Sequence, residues 1–170
     1  WGASGRNGGQ IVNSYSRDMD VIEARHGKDA ARKLGAMAFE GGKIIRERIA
    51  KYGIQCDLKN GNVFAAFTGK QLDELEAKKR LWESYGHTGI EMIDKAGMAR
   101  IVDSDQYAGA LLDHWGGHIH PLNLALGEAA AFESLGGRIF EQSAVTDIQR
   151  GEVAVVRTAE GQVSARFVVV

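Results

Sequence analysis

Four of the first ten residues are glycine, in the string Trp1-Gly-Ala-Ser-Gly-Arg-Asn-Gly-Gly-Gln10. Glycine reaches backbone conformations closed to other residues and lets a neighbour approach the chain with no Cβ in the way. The stretch therefore reads as a tight loop pressed against something, not as the interior of a helix or strand. At the other end, Arg166-Phe-Val-Val-Val170 has the apolar run of a strand covered on both faces. Domain ends are usually polar and frayed. Both ends read as interior pieces of a larger fold, so the function is expected to belong to a parent protein of which this chain supplies a part.

The rest of the composition mainly excludes. A chain of 170 residues with 44% hydrophobic and 25% charged residues is an ordinary one-domain length for a soluble globular protein. The net charge of −1 and the lack of a basic stripe with interleaved aromatics argue against a nucleic-acid partner. No apolar run approaches the roughly 18 residues needed to cross a bilayer. The lone Cys56 rules out an internal disulfide framework and points to a reducing, cytoplasmic compartment.

Residues 9–26 read as short helical turns. A long helix is expected over 29–52, with Leu34, Met37, Ala38, Gly41, Ile45, Ile49 and Tyr52 as its apolar stripe and Gly53 as its stop. Asn60-Gly61 predicts a tight hairpin between strands at 54–59 and 62–68. A charged helix follows at 70–85, with Leu72, Leu75 and Trp82 inward. Residues 86–106 read as irregular apart from a short helix near 94–100, and 107–114 and 117–120 as two strands. Pro121 opens a helix whose small face carries Leu122, Leu126, Ala129 and Ala130. Strand-like runs at 138–141, 144–149, 152–158 and 162–170 complete the chain, the last three forming a meander turned at Arg150-Gly151 and Glu160-Gly161. The pattern is α/β in the mixed α+β sense, a layered sheet with helices beside a separate antiparallel layer.

Few residues could carry chemistry. In the glycine loop, Ser4, Arg6, Asn7 and Gln10 offer polar groups, and Gly8-Gly9 could aim free N–H groups at an anion if it opened a helix. A loop facing a ligand and a mobile terminal loop both fit these residues. It is not a P-loop, since the Gly-Lys-Ser/Thr ending is absent. His114, His118 and His120, with Asp113 adjacent, have spacing that could suit zinc or non-haem iron. With the Gly116-Gly117 kink between them and no facial-triad carboxylate, polar lining of a sheet or pocket is the better reading, and no metal is expected. Cys56 reads as a small core residue. Ser4 and Ser14 lack a nucleophile-elbow setting. Trp82, Tyr85, Tyr107 and Trp115 suit a pocket wall and a packed core equally well.

The string Gly2-Ala-Ser-Gly-Arg-Asn-Gly-Gly-Gln10, continued by Asn13-Ser-Tyr-Ser-Arg17, resembles the second flavin-contacting segment of the FAD-dependent amine and amino-acid oxidoreductases, the D-amino-acid oxidase, glycine oxidase and sarcosine oxidase group. The order Gly116-Gly-His-Ile-His-Pro121, helix, Gly136-Gly-Arg-Ile-Phe-Glu141 and meander is similar to that family's central region. The likeness runs over nearly the whole chain. It implies a piece of a two-domain flavoprotein, with 1–53 and 121–170 in the FAD-binding domain and 54–120 in the substrate-binding domain. It implies FAD as cofactor and a small amine or amino acid as substrate, oxidised at a C–N bond. Ser4, Arg6, Asn7, Gly8, Gly9 and Gln10 would then lie along the pyrophosphate and isoalloxazine, and the Val145 backbone would pair with the adenine. The family's G-x-G-x-x-G turn is absent from this sequence, so the 170-residue chain alone is expected to bind FAD weakly or not at all.

Overall fold

The computed structural model describes residues 2–170. They form two compact units, one running to Ala131 and one over Phe132–Val170.

The first unit is built around one long strand. β4 (Gly109–His118) is central: β2 (Lys59–Ala66) pairs with one edge, and β1 (Gln10–Ile11) and β3 (Ile90–Asp94) with the rest, all antiparallel. β3 occupies β4 from Gly109 to Asp113 and β1 from Gly117 to His118, leaving an interval at 114–116 between them. The helices are α1 (Met19–His26), α2 (Lys28–Tyr52), α3 (Gly69–Ser84), α4 (Lys95–Ile101) and α5 (Pro121–Ser134).

Local chemistry accounts for these ends. α2 stops at Gly53 in the left-handed conformation, as the sequence predicts. α3 opens on a capping box: Thr68 Oγ1 accepts from the Gln71 N–H, and Gln71 Oε1 accepts from the Thr68 N–H. α3 lies on the sheet through Trp82, which packs with Ile90 and Leu111 and with the partly buried Phe64, Leu75 and Met92. Fully burying a large apolar side chain contributes about 1.5–3 kcal/mol, so this cluster anchors the layer. A second cluster, Met19, Ile22 and Ala31 with Leu34, Leu81 and Tyr85, joins the first three helices.

The structure departs from the sequence expectations at identifiable places. Asn60-Gly61 does not turn a hairpin. Gly61 does take a positive φ of 93°, but both flanks pair with β4, so the dipeptide is a bulge inside one strand. Residues 107–120 hold one strand, not two, and 86–106 hides β3. The α2 stripe is rotated: Met37 is 64% exposed, while Ala31, Gly35, Phe39 and Gly42 are buried. On α5, Leu122 and Leu126 are exposed, and the close approach is at Gly127, whose added Cβ would meet Ile54 at 2.3 Å.

The second unit is the predicted meander, β5 (Val145–Gln149), β6 (Ala154–Thr158) and β7 (Gln162–Ala165), all antiparallel. Thr158 Oγ1 accepts from the Gly161 N–H in its second turn. Residues 138–141 and 166–170 are not strands. A strand persists where its backbone groups find partners. Residues 166–170 find no sheet partner among the described residues, and Phe167 and Val169 are 86% and 98% exposed.

Candidate functional site

The glycine loop is a shaped structure. Ala3–Gly5 forms one 3₁₀ turn. The Asn7 side chain closes the loop on itself: Nδ2 donates to the Ala3 and Ser4 carbonyls (3.1 and 2.9 Å), and Oδ1 accepts from the Gly9 N–H (2.8 Å). Gly9 is buried with φ 69°, and a Cβ there would lie 2.0 Å from the Ile119 carbonyl oxygen. Only glycine fits, because the Ile119 N–H donates to the Gly9 carbonyl (2.9 Å) and holds the two backbones together. Gly8 is exposed with nothing within 4 Å of its Cβ position. Ser4, Arg6 and Gln10 are also exposed. A cleft of about 190 Å³ is lined by Ser4, Asn7, Gly9, Gln10, Ile119 and Pro121, among others. The structure therefore brings together four of the residues singled out in the loop, beside bare backbone at Gly8. Val145 lies in the second unit, where it opens β5 opposite Thr158 and is 55% exposed.

Behind the loop lies a polar centre that the sequence reading passed over. Asp113 is 1% exposed on β4. Its Oδ2 accepts from Asn13 Nδ2 (2.9 Å), and its Oδ1 accepts from the Trp115 N–H (2.9 Å). His87 Nε2 lies 3.0 Å from Oδ1, close enough for an ion pair but off the straight line of a hydrogen bond. Burial pushes the Asp113 carboxyl up, but the close approach of His87, the Asn13 hydrogen bond and the Trp115 N–H outweigh it, so the group sits below the ordinary carboxylate value. His87 is fully buried, stacked on Trp115 (centroids 4.5 Å) and Trp82 (5.5 Å) and tilted against Phe39 (4.8 Å). His87 Nδ1 and Asn13 Oδ1 have no hydrogen-bond partner among the described residues.

Arg46 on α2 is a second tie: it donates to Asn60 Oδ1 (2.9 Å), the Gly42 carbonyl (2.9 Å) and the Gly116 carbonyl (2.7 Å), binding helix to sheet. One signal for the polar centre was readable. Leu111 and Asp113 share strand parity, and a carboxylate in a core-facing register must find partners. His87 had no local pattern to mark it.

The other candidates fall into place. Among the described residues, no three His, Cys, Asp or Glu side chains converge as a metal site would require. His114 lies 3.1 Å from Glu91, and the His120 ring accepts from the Asn123 N–H at 3.3 Å. Cys56 is a buried core residue; burial and the neighbouring Asp57 charge push its thiol up, away from nucleophilic use. Trp82 and Tyr85 belong to the core clusters, and Tyr107 packs at a tilt against Phe67. Trp115 is 38% exposed; it covers His87 and lines an open hollow of about 590 Å³ with Phe39, Lys43, Arg46, Asn60 and His114. No helix among the described residues is long and apolar enough to cross a membrane.

Residues 1–170 match the DAO family, described as FAD dependent oxidoreductase, and the chain belongs to it. Among named proteins, it is 61% identical over 170 residues to gamma-glutamylputrescine oxidoreductase of Escherichia coli (strain K12), a match covering 100% of this chain and 40% of that protein. Among solved structures, L-amino acid deaminase from Proteus myxofaciens, in complex with anthranilate, superposes with a TM-score of 0.76 at 19% identity, over 96% of this chain and 36% of that one. L-alpha-glycerophosphate oxidase from Mycoplasma pneumoniae, with FAD bound, gives a TM-score of 0.70 at 17% identity, over 96% and 42%. The chain thus spans about two-fifths of the length of the curated relatives it matches.

Proposed function

We propose that the chain serves an FAD-dependent enzyme that oxidises a C–N bond of a small amine or amino acid in the cytoplasm. The observation that carries this reading is the glycine loop. In a chain matched throughout by an FAD dependent oxidoreductase family, Gly8 leaves open backbone beside a cleft whose loop is pinned by Gly9 and Asn7. That arrangement fits a flat, anionic cofactor, which needs close backbone approach and polar donors. Ser4, Arg6, Gly8 and Gln10 would hold it directly, with Asn7 and Gly9 fixing the loop's shape and Val145 serving the adenine end. Residues 54–120 would form part of the layer that takes the substrate. The bound flavin supplies two-electron oxidation of the C–N bond, and water hydrolyses the imine product. The relative at 61% identity is named for gamma-glutamylputrescine, which makes amines of that kind the first substrates to try.

The test is direct. The protein purified at its natural length should carry flavin absorbance and bleach when an amine substrate is added without oxygen. Hydrogen peroxide release in air would identify an oxidase, and reduction of a quinone or carrier a dehydrogenase. A natural-length protein that binds no FAD would overturn the reading.

A further inference from the structure

We propose that Asp113 is a positioning residue. By accepting a hydrogen bond from Asn13 on one flank of a split sheet edge and meeting the His87 ring on the other, it holds the exit strand of the glycine loop in place. The role in flavin binding rests on the reading just given.

One edge of β4 is shared by two short strands from distant parts of the chain, and neither covers 114–116. At the β3 end of that interval the His114 N–H donates to the Gly89 carbonyl (2.8 Å), and no strand ladder continues from there to β1. Asp113 lies at the border of that interval. Asn13, two residues past the end of β1, donates to one of its oxygens, and His87, three residues before β3, contacts the other. The Trp115 N–H then fixes the carboxylate from within β4. All three side chains, Asn13, His87 and Asp113, are at most 1% exposed. A charge so buried is tolerated only when several partners meet it.

β1 alone is a weak anchor. It is two residues long, and it leads straight out of Gly8-Gly9. α2 is shaped to let Asn13 reach Asp113: at Gly42 an added Cβ would stand 3.1 Å from Asn13 Oδ1 and 3.2 Å from Ile11 Cγ2. The Asn13–Asp113 bond thus fixes the chain just downstream of the loop, as the Ile119–Gly9 bond fixes it within.

The experiment compares Asn13→Ala with Thr68→Ala, which removes a helix cap elsewhere in the fold, in the natural-length protein. Asn13→Ala avoids the folding risk of altering Asp113 itself. Amide hydrogen exchange at residues 9–11 should accelerate roughly tenfold or more in Asn13→Ala, with α3 and β3 unchanged. FAD affinity should fall by about the same factor, while Thr68→Ala leaves it unaltered. Unchanged exchange at 9–11, acceleration spread evenly over the fold, or a loosened loop with unaltered FAD affinity would each overturn the proposal. If the unaltered protein binds no FAD, the flavin reading fails by itself, and the exchange result still decides whether Asp113 tethers the loop.

Discussion

At the scale of single residues, the molecule depends on a few positions where one atom more or less is decisive. Gly9→Ala would combine a left-handed φ with a Cβ set 2.0 Å from the Ile119 oxygen, so the Gly9–Ile119 backbone pairing must break. We expect a loss of at least about 1–3 kcal/mol, read as a lower urea midpoint, with the loop amides losing protection. Asp113 adds a pH dependence. Its folded carboxyl is held below the ordinary value by His87, Asn13 and Trp115 against the opposing effect of burial. Its contribution is complete while both folded and unfolded chains are ionised. It is lost as pH falls through the unfolded value toward the folded one, because the unfolded chain takes up the proton first. Unfolding midpoints measured down a pH series should therefore fall more steeply on the acid side for the native protein than for Asp113→Asn. The variant should already be less stable at neutral pH. Gly9's need for glycine was legible in the sequence as clustering. At the Asp113 centre only the carboxylate's inward register was legible; its partners were not, because Asn13, His87 and Asp113 are distant in sequence and meet only through tertiary pairing.

At the scale of elements, signals confined to a few neighbouring residues survived folding, and signals that depended on a partner did not. The capping box of α3 is local chemistry, and Thr68→Ala is expected to cost about 1 kcal/mol, seen as a fall of a few degrees in melting temperature. The α2 stop at Gly53 and the meander turns were legible for the same reason. Asn60-Gly61 was legible as a positive φ but not as a bulge, since turn and bulge differ only in which strand lies alongside. β3 was hidden because Ile90 and Met92 alternate over too few residues to stand out, and the short strand is stabilised by β4 and Trp82. The exposed run at 167–170 makes the same point in reverse: apolar composition describes what a strand would bury, and only a neighbour can bury it.

At the scale of the whole molecule, apolar surface is concentrated in the second unit, where Leu135, Phe140, Val145, Val163, Phe167 and Val169 are all more than half exposed. Surface of this kind favours association. Phe167→Ser with Val169→Ser should shift sedimentation of the 170-residue chain toward the monomer and lower its binding of a hydrophobic dye. A different consequence follows from the two-residue strand β1, and it concerns time. Asn13 and Asp113 are 100 positions apart, so their bond closes one of the longest loops in the first unit. Such closures are entropically costly and slow. β2, β3 and β4 lie nearer one another along the chain and can assemble around Trp82 first. In refolding, Trp82 burial should precede protection of the Gly9 and Ile11 amides, so the segment proposed to meet the cofactor is the last to be built and the first to come undone.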